Sequence, residues 1–443
     1  MSRPNILYLH SHDTGRYVRP YGFGVPTPNL QRLAEQGVLF RQAFCTNPTC
    51  SASRSGLLTG QWPHNNGMTG LAHRGWQLND YGHHDVRALR SHGYHTALCG
   101  MQHEADDRHG DAARTIGYQE HLTAREDGGD GRDTWADRAG EWLEGAPPEP
   151  FFLSAGFVET HREFPEPACD CPETDPRFTR PPLPLPDTPE TRRDMAAFNT
   201  TARTLDTKMG KVLDALDRSG LAGRTLVICT TDHGIAFPRM KCNLEDSGIG
   251  VMLIMRGPGG FSGGRAVEGM VSHLDVFPTV CDCLGIEPPP WLQGVSFMPL
   301  VRGEAQEVRE EVFAEVNWHA AYEPLRAVRT RRWKYIKRYD GRTRPVLPNC
   351  DDSPSKDVWM AHGWADRAPA AEALYDLVFD PNEVNNLAGD PAHAHVLADM
   401  RARLQRWMEE TDDPLLRGPV PAPKGAKANN PDGISPGEEP MAV

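Results

Sequence analysis

NILYLHSHDTGRYVRPYGFGVPTPNLQRLAEQG (residues 5–37) decides the fold class of this chain. Its first residues are a short apolar run, which predicts a buried strand over residues 5–9. A threonine–proline pair then supplies a cap and a first-turn proline, and a glycine closes the segment, so a helix is predicted over residues 28–36. The polar residues His12 and Asp13 come soon after the strand, in the loop that leads to this helix.

The same alternation of apolar runs and helical patterns continues along the first two thirds of the chain. One apolar stripe, at spacings of three and four residues, runs from Met195 to Leu216, and Gly220 is placed to end that helix. Strands that alternate with helices predict a mostly parallel sheet sandwiched by helices, with chemistry at the carboxyl ends of the strands. Further strands are predicted over residues 95–99, 151–155, 226–230 and 251–255.

The pattern changes after residue 302 to shorter, alternating strands, the last two close enough to form a hairpin, followed by one helix over residues 392–410. We therefore predict an α/β domain over residues 1–305, a smaller antiparallel α+β subdomain over residues 306–413, and a Pro/Gly-rich tail over residues 414–443. The tail has little to bury and is predicted to meander or to be disordered. A proline-dense excursion over residues 164–189 is expected to rim the site. The C-terminal strands are predicted over residues 311–316, 325–330 and 333–337.

The chain has 443 residues, of which 47 are basic and 60 acidic, so its formal net charge is −13. Nucleic acids and anionic membranes both attract basic surfaces, so this balance argues against either partner. No run approaches the roughly 18 apolar residues of a membrane-spanning helix. The first residues also lack the apolar core and cleavage site of a secretory signal, so a cytoplasmic protein is expected.

The most informative segment for function is CSASRSGLLTG, residues 50–60. It resembles the signature of formylglycine-dependent sulfatases of the alkaline phosphatase superfamily, in which a formylglycine-generating enzyme oxidises the cysteine to formylglycine (3-oxoalanine). Ala52 replaces the usual proline, a variant that the minimal recognition pattern tolerates, and the spacing to Leu58-Thr59-Gly60 is intact. The aldehyde hydrates to a geminal diol, of which one hydroxyl can attack sulfur while the other later expels the group. The alternative is a buried structural cysteine at a helix N-terminus.

Other stretches extend the resemblance over nearly the whole chain, and it is closest to the heparan N-sulfatase (N-sulfoglucosamine sulfohydrolase) branch. The resemblance implies an alkaline-phosphatase-like α/β fold. The matching stretches are RPNILYL (residues 3–9), TPNL (27–30), GVLF (37–40), HNNGM (64–68), TDHGIAFP (231–238), LYDL (374–377), DPNE (380–383) and NLA (386–388).

The resemblance also implies a divalent metal, bound by His12, Asp13, Cys50, Asp232 and His233. His12-Asp13 stands where the family usually has two aspartates, and Asp232-His233 follows the strand predicted over residues 226–230. Sulfatases commonly bind calcium, a hard ion that prefers oxygen ligands. Two imidazoles would favour manganese or zinc instead.

Four further residues are assigned catalytic roles by the same resemblance. Arg54 and Lys241 would offset the charge of the transferred group, His161 would protonate the leaving group, and His103 would deprotonate the remaining hydroxyl of residue 50. Met101 replaces a family lysine near the sulfate, and this loss removes a cation from the site.

Two other positions bear on the site. Trp318-His319 is a candidate for shaping the leaving-group pocket, and His273 is interpreted as structural first.

The sequence therefore predicts a sulfatase that hydrolyses sulfate esters or N-sulfate groups through the nucleophile made from Cys50. The alternative with the same nucleophile is a phosphonate monoester hydrolase or phosphodiesterase, which also lacks the lysine replaced by Met101. A second alternative is a catalytically silent sulfatase-like binding protein, motivated by the departures at His12 and Met101. The acidic surface favours a small sulfated substrate, such as a sulfated sugar, over a long polyanion.

Overall fold

The structure is a computed structural model that describes residues 3–122, 134–166 and 172–443. Fourteen strands are found among these residues. They are β1 Asn5–Ser11, β2 Val38–Phe44, β3 His95–Gly100, β4 Glu120–His121, β5 Phe151–Gly156, β6 Thr225–Thr231, β7 Leu253–Arg256, β8 Arg265–Ser272, β9 Glu311–Trp318, β10 Tyr322–Thr330, β11 Trp333–Arg338, β12 Glu372–Asp376, β13 Lys427–Ala428 and β14 Met441–Ala442.

The α-helices of the same residues connect and cover these strands. They are α1 Pro28–Gln36, α2 Cys50–Thr59, α3 Pro63–Asn66, α4 Asp85–Ser91, α5 Ala112–Ile116, α6 Trp135–Glu144, α7 Pro189–Arg218, α8 Asp246–Ile249, α9 Val276–Leu284, α10 Met298–Arg302, α11 Pro354–Ala361 and α12 Ala394–Glu410.

The large sheet has eight strands in the order β4-β3-β5-β1-β6-β7-β2-β8. The pairs around β1 are parallel, and β7 is antiparallel to both of its neighbours, β6 and β2. The predicted mostly parallel α/β sheet is confirmed.

Helices cover both faces of this sheet, as the alternation of side chains along β1 shows. Leu7 and Leu9 pack in one buried cluster with residues of α1, α6 and α7. Ile6 and Tyr8 point to the opposite face and pack in a second cluster with residues of α2, α4 and α9. A central strand buried on both faces has no polar side to alternate, which is why it reads as a continuous apolar run.

The second sheet is antiparallel, with strand order β12-β11-β10-β9. Val328 and Tyr335 pack against Leu397, Leu404 and other residues of α12. The predicted hairpin is formed by β10 and β11, and the predicted helix begins at Ala394. The smaller antiparallel sheet with one packed helix is therefore confirmed.

The expectation that residues 414–443 have little to bury is wrong. Ala426 and Ala428 are fully buried in a cluster with Trp76 and Trp318. The Val420 carbonyl also accepts a hydrogen bond from the indole of Trp318 at 3.3 Å. The alanines that pack against these two indoles form no apolar pattern in the sequence. The composition of the segment therefore could not predict this packing.

The proline-dense excursion contacts more than one cavity, and its residues 167–171 lie outside the described part of the chain. Pro165 lines a cavity of about 730 Å³ together with His12, His103 and His161. Residues 178–183 instead line a separate cavity of about 840 Å³. In the described residues, no helix has the length and apolar character to cross a membrane.

Candidate active site

The large sheet brings the predicted site residues to the carboxyl edge of its central strands. The loops after β1, β3, β5 and β6 converge there with the first residue of α2, which follows β2. These elements supply His12 and Asp13 (after β1), His103 (after β3), His161 (after β5), Asp232 and His233 (after β6), and Cys50 (the start of α2).

His12, Asp13, Cys50, Asp232 and His233 form one buried group whose potential ligand atoms all lie within 4.8 Å of one another. His12 Nδ1 lies 2.7 Å from Asp13 Oδ1 and 3.0 Å from Asp232 Oδ2. His233 Nε2 lies 3.3 Å from Asp13 Oδ1. The structure thus places together all five residues that the sequence assigned to a metal.

The backbone around Asp13 is held by the two neighbouring strand ends. The Asp13 N–H donates to Asp232 Oδ1 at 2.8 Å, and the His12 N–H donates to the Glu159 carbonyl at 2.9 Å. Asp13 has a φ of 55°, a left-handed conformation that aspartate tolerates better than most residues. These contacts fix the direction of the Asp13 carboxylate.

The charges of this group stabilise one another. Burial disfavours ionisation of both carboxyls, but nearby positive charges outweigh it. Lys241 and His12 lower the pKa of Asp13 well below its usual range. His233, His12 and Arg54 do the same for Asp232. Burial lowers the pKa of His12, but the Asp232 carboxylate raises it by more. The pKa of His12 is therefore well above the ordinary histidine value. Asp13 and Asp232 are therefore ionised, and their negative charges favour a nearby cation.

Arg54 is buried one helical turn after Cys50 and is held at three points. Its Nη2 donates to Asp232 Oδ2 at 2.9 Å and to the Ser11 carbonyl at 2.8 Å. Its Nη1 lies 2.7 Å from His10 Nδ1. Burial and the nearby guanidinium hold the pKa of His10 well below its usual value, so this imidazole is a neutral acceptor. His10 is a positioning residue that sequence reasoning missed.

Lys241 reaches the site from the loop after β6. Its Nζ lies 2.9 Å from Asp13 Oδ2, 3.4 Å from His161 Nε2 and 3.1 Å from Asp351 Oδ2. His161 is the most exposed of these groups, with 37% of its side chain accessible. Asp351 comes from the segment between β11 and α11, and sequence reasoning missed it because it follows no strand of the large sheet.

Three further imidazoles surround Cys50. His103 helps to lower the pKa of its thiol, and His319 is an electrostatic neighbour of the same thiol. His73 stacks on His103, with Nδ1 3.1 Å from His103 Nε2. His73 was missed because it lies in a short turn with no strand or helix pattern to mark it. Burial opposes ionisation of Cys50, but His12, Lys241 and His103 outweigh it and hold the pKa of the thiol well below its usual value.

Met101 lines the same cavity as His12 and His103. Arg54 and Lys241 each form an ion pair with a carboxylate of the buried group, and Arg108 and Arg162 also line the cavity.

His273 and the Trp318-His319 pair lie in different surroundings. His273 is buried beneath the site, with Nε2 3.2 Å from Thr230 Oγ1, and burial lowers its pKa to about 3, as fits a structural residue. Trp318 packs against Trp76 and Tyr322, while His319 faces Cys50.

The donor set fits a divalent cation. His233 Nδ1 lies 3.0 Å from the Gly234 carbonyl, so it is placed to donate and leave Nε2 to face the carboxylates. His233 Nε2 is buried and has no hydrogen-bond partner among the described residues. A ring nitrogen in that position, beside two carboxylates, is the arrangement of a metal ligand whose other nitrogen is fixed by a backbone carbonyl.

Comparison with known proteins agrees with this geometry. Residues 4–286 match the family described as Sulfatase, and residues 238–356 match N-sulphoglucosamine sulphohydrolase, C-terminal. Human N-sulphoglucosamine sulphohydrolase is 30% identical over 94% of this chain and 92% of its own length.

Solved structures show the same fold. One was described in complex with its substrate D-glucosamine-2-N,6-O-disulfate and has a TM-score of 0.69 at 18% identity, covering 93% of this chain and 98% of the other. The phosphonate monoester hydrolase of Agrobacterium radiobacter has a TM-score of 0.68 at 22% identity, covering 92% and 96%.

Proposed function

Because the chain belongs to the sulfatase family, we propose that it hydrolyses the O-sulfate or N-sulfate group of a small sulfated sugar with a nucleophile made from Cys50. The observation that carries this proposal is the position of Cys50, at the start of α2 and within the buried group of His12, Asp13, Asp232 and His233. The substrate class rests on the human relative, which is named for N-sulphoglucosamine, and on the neighbour described with a glucosamine disulfate.

Conversion of Cys50 to formylglycine by a maturation enzyme would supply a hydrated aldehyde whose hydroxyl attacks sulfur. The start of α2 suits an anion there. The Thr49 side chain donates to Asn47 Oδ1 at 2.7 Å and does not cap the helix, so first-turn N–H groups are left for the site.

A divalent metal held by His12, Asp13, Asp232, His233 and residue 50 would act as a Lewis acid on the sulfate and keep the attacking hydroxyl ionised. We propose manganese or zinc rather than calcium, because two of the donors are imidazoles.

Arg54 and Lys241 provide the fixed positive charge. The hydrogen bond to Asp232 fixes the Arg54 guanidinium in place. Its positive charge can therefore stabilise the transition state without moving during the reaction. Lys241 contacts Asp13 of the proposed metal site and Asp351, and its Nζ lies 3.4 Å from Nε2 of the proposed leaving-group acid, His161. Its ammonium is therefore placed to contact a sulfate oxygen.

His161 is the proposed acid for the leaving group. Burial and Lys241 lower its pKa in the free protein. A bound sulfate anion would act in the opposite direction and favour the protonated ring that the role requires. His103, which helps to lower the pKa of the Cys50 thiol, is the proposed base that releases sulfate in the second half of the reaction.

The test begins with the Cys50 peptide, analysed by mass spectrometry after co-expression with a formylglycine-generating enzyme. We expect loss of the thiol sulfur with gain of an aldehyde, and turnover of N-sulfoglucosamine and an aryl sulfate only by protein that carries it. An unmodified thiol together with no bound metal would favour the catalytically silent alternative.

The phosphonate alternative is motivated by Met101, which lines the cavity where a family lysine is expected. Comparing kcat/KM for an aryl sulfate and an aryl phosphonate monoester separates the two functions. A large preference for the phosphonate would reject the sulfatase assignment of the natural reaction.

Chain length of the substrate is a further part of the proposal. A net charge of −13 repels long polyanions when salt screens poorly. We expect the sulfated monosaccharide to be turned over faster than its polymer at low ionic strength, and the reverse order would contradict a small substrate.

A further inference from the structure

We propose that Asp351 is a specificity-determining residue whose carboxylate accepts hydrogen bonds from hydroxyl or amino groups of the leaving group, and so selects a polyol such as a sugar. This inference rests on the proposed function and extends it to the part of the substrate that carries the sulfate.

Asp351 is held in the site by a rigid segment. Asn349, two residues before it, accepts from the Ala321 N–H at 2.9 Å and donates to Glu323 Oε2 at 2.8 Å. The buried Lys356 ammonium donates to the Cys350 carbonyl at 2.7 Å. The carboxylate is therefore positioned before substrate arrives, as recognition of a small ligand requires.

The two sides of this carboxylate have different surroundings. Oδ2 is buried and lies 3.1 Å from Lys241 Nζ. The side chain as a whole keeps 17% exposure, so another part of it is accessible to solvent. No side chain or N–H in the described residues donates a hydrogen bond to Oδ1. The carboxylate thus retains acceptor capacity beside Lys241 and His161.

Charge decides which part of the substrate this carboxylate meets. A sulfate is anionic, so it belongs beside Lys241 and Arg54, and a carboxylate facing its oxygens would repel it. The electrostatic neighbours of Asp351 are Lys241, Asp13, His161 and His319, which places it next to the proposed leaving-group acid. In a sulfated sugar, the part beyond the scissile bond is neutral or cationic and carries many hydrogen-bond donors. These donors can bond to the Asp351 carboxylate.

The experiment compares Asp351→Asn with the unchanged protein on two substrates after formylglycine has been verified. N-sulfoglucosamine carries hydroxyl donors, and 4-nitrophenyl sulfate has none on its leaving group. We expect kcat/KM to fall about 10- to 100-fold on the sugar, as for a lost hydrogen bond to a charged group, and less than about threefold on the aryl sulfate. Asp366→Asn is the matched control, because that carboxylate is exposed and its ion-pair partner, Arg344, is also exposed.

A second measurement does not depend on maturation or turnover. Calorimetric binding of N-sulfoglucosamine to Cys50→Ala protein should weaken about tenfold or more when Asp351→Asn is added, while its melting temperature stays near that of Cys50→Ala alone.

Three outcomes overturn the inference. Equal losses on both substrates would mean that Asp351 acts through Lys241, and no loss on the sugar would mean that it contacts no donor there. If the protein hydrolysed the aryl sulfate but no sugar sulfate, a polyol leaving group would be rejected. Failure of matured, metal-loaded protein on every sulfate would reject the proposed function itself, a result distinct from these three.

Discussion

The Arg54 guanidinium and the Asp232 carboxylate form an ion pair closed off from solvent, with Nη2 2.9 Å from Oδ2 and side-chain exposures of 1% and 0%. The pair joins the first turn of α2, which carries Cys50, to the end of β6. His12 Nδ1 shares the same Asp232 oxygen at 3.0 Å. The nucleophile helix and the proposed metal site are therefore linked through one carboxylate.

Replacing Arg54 with methionine should unfold the site as well as inactivate it. The change leaves Asp232 buried without its closest cation, a situation that costs about 3–5 kcal/mol in other proteins. We expect kcat/KM to fall more than about 100-fold, as when a fixed cation at a site of developing charge is lost. Denaturant unfolding and steady-state kinetics measure the two effects.

Arg54→Lys is the informative control for that prediction. A lysine keeps the charge but cannot donate to His10, Ser11 and Asp232 at once, so an intermediate loss of stability is expected. Methionine and lysine variants of equal stability would contradict the electrostatic explanation.

The proposed metal site leads to a second prediction. Binding to the folded state stabilises a protein by an amount set by ligand concentration and Kd. Chelation should lower the melting temperature, and manganese or zinc should restore it at lower concentration than calcium. His12→Ala should weaken the effective metal affinity at least about tenfold.

Metal content measured by mass spectrometry and metal-titrated melting curves test this prediction. His395→Ala is a suitable control, because this histidine is exposed on α12, far along the chain from the site. Unchanged affinities for manganese and zinc in His12→Ala would remove His12 from the ligand set.

The third prediction concerns His73, which stacks on His103 with ring centroids 5.2 Å apart and planes at 6°. His73→Phe retains an aromatic ring for stacking but removes the hydrogen bond to His103 Nε2. If the bond orients His103 for its role at residue 50, kcat should fall about 10-fold or more with little change in KM.

His83→Phe controls for the loss of an imidazole, since His83 stacks on Trp291 in the same way. A fall in melting temperature with unchanged kcat in His73→Phe would indicate packing alone.

Particular residues show which parts of the structure could be predicted from the sequence. Leu7 and Leu9 made β1 predictable, because a strand buried on both faces is apolar throughout. The ends of such strands then located His12 and Asp232. Asp351 and His73 could not be found that way, since each lies outside the strand ends of the large sheet and reaches the site only through tertiary packing. Ala426 shows the same limit for packing, because an alanine signals burial only when its neighbours are known.

The packing of the C-terminal segment leads to a fourth prediction. Ala426 is fully buried, and its Cα lies 3.0 Å from where a side-chain carbon at Gly75 would stand. Ala426→Leu has no space to occupy and should destabilise the protein by about 1–3 kcal/mol, as overpacked substitutions do. Ala442→Leu makes the same chemical change at an exposed position and should have little effect. Equal stability of the two variants in urea would show that the segment is not packed against Trp76.

The fifth prediction concerns Glu383 and the pH dependence of the protein's stability. Glu383 is buried near Asp246 and lies 3.2 Å from Lys334, and burial raises its pKa to about 8 despite the lysine. In the unfolded chain a glutamate titrates near about 4.3, so between these values the folded state binds more protons than the unfolded state. The contribution of Glu383 to stability is therefore present at low pH and is lost as pH rises toward 8. Glu383→Gln should flatten that decline, gaining stability relative to the unchanged protein at pH 8 and not at pH 5. Glu409→Gln on the outer face of α12 serves as the control, and parallel stability curves for all three proteins from pH 5 to pH 8 would contradict the raised pKa.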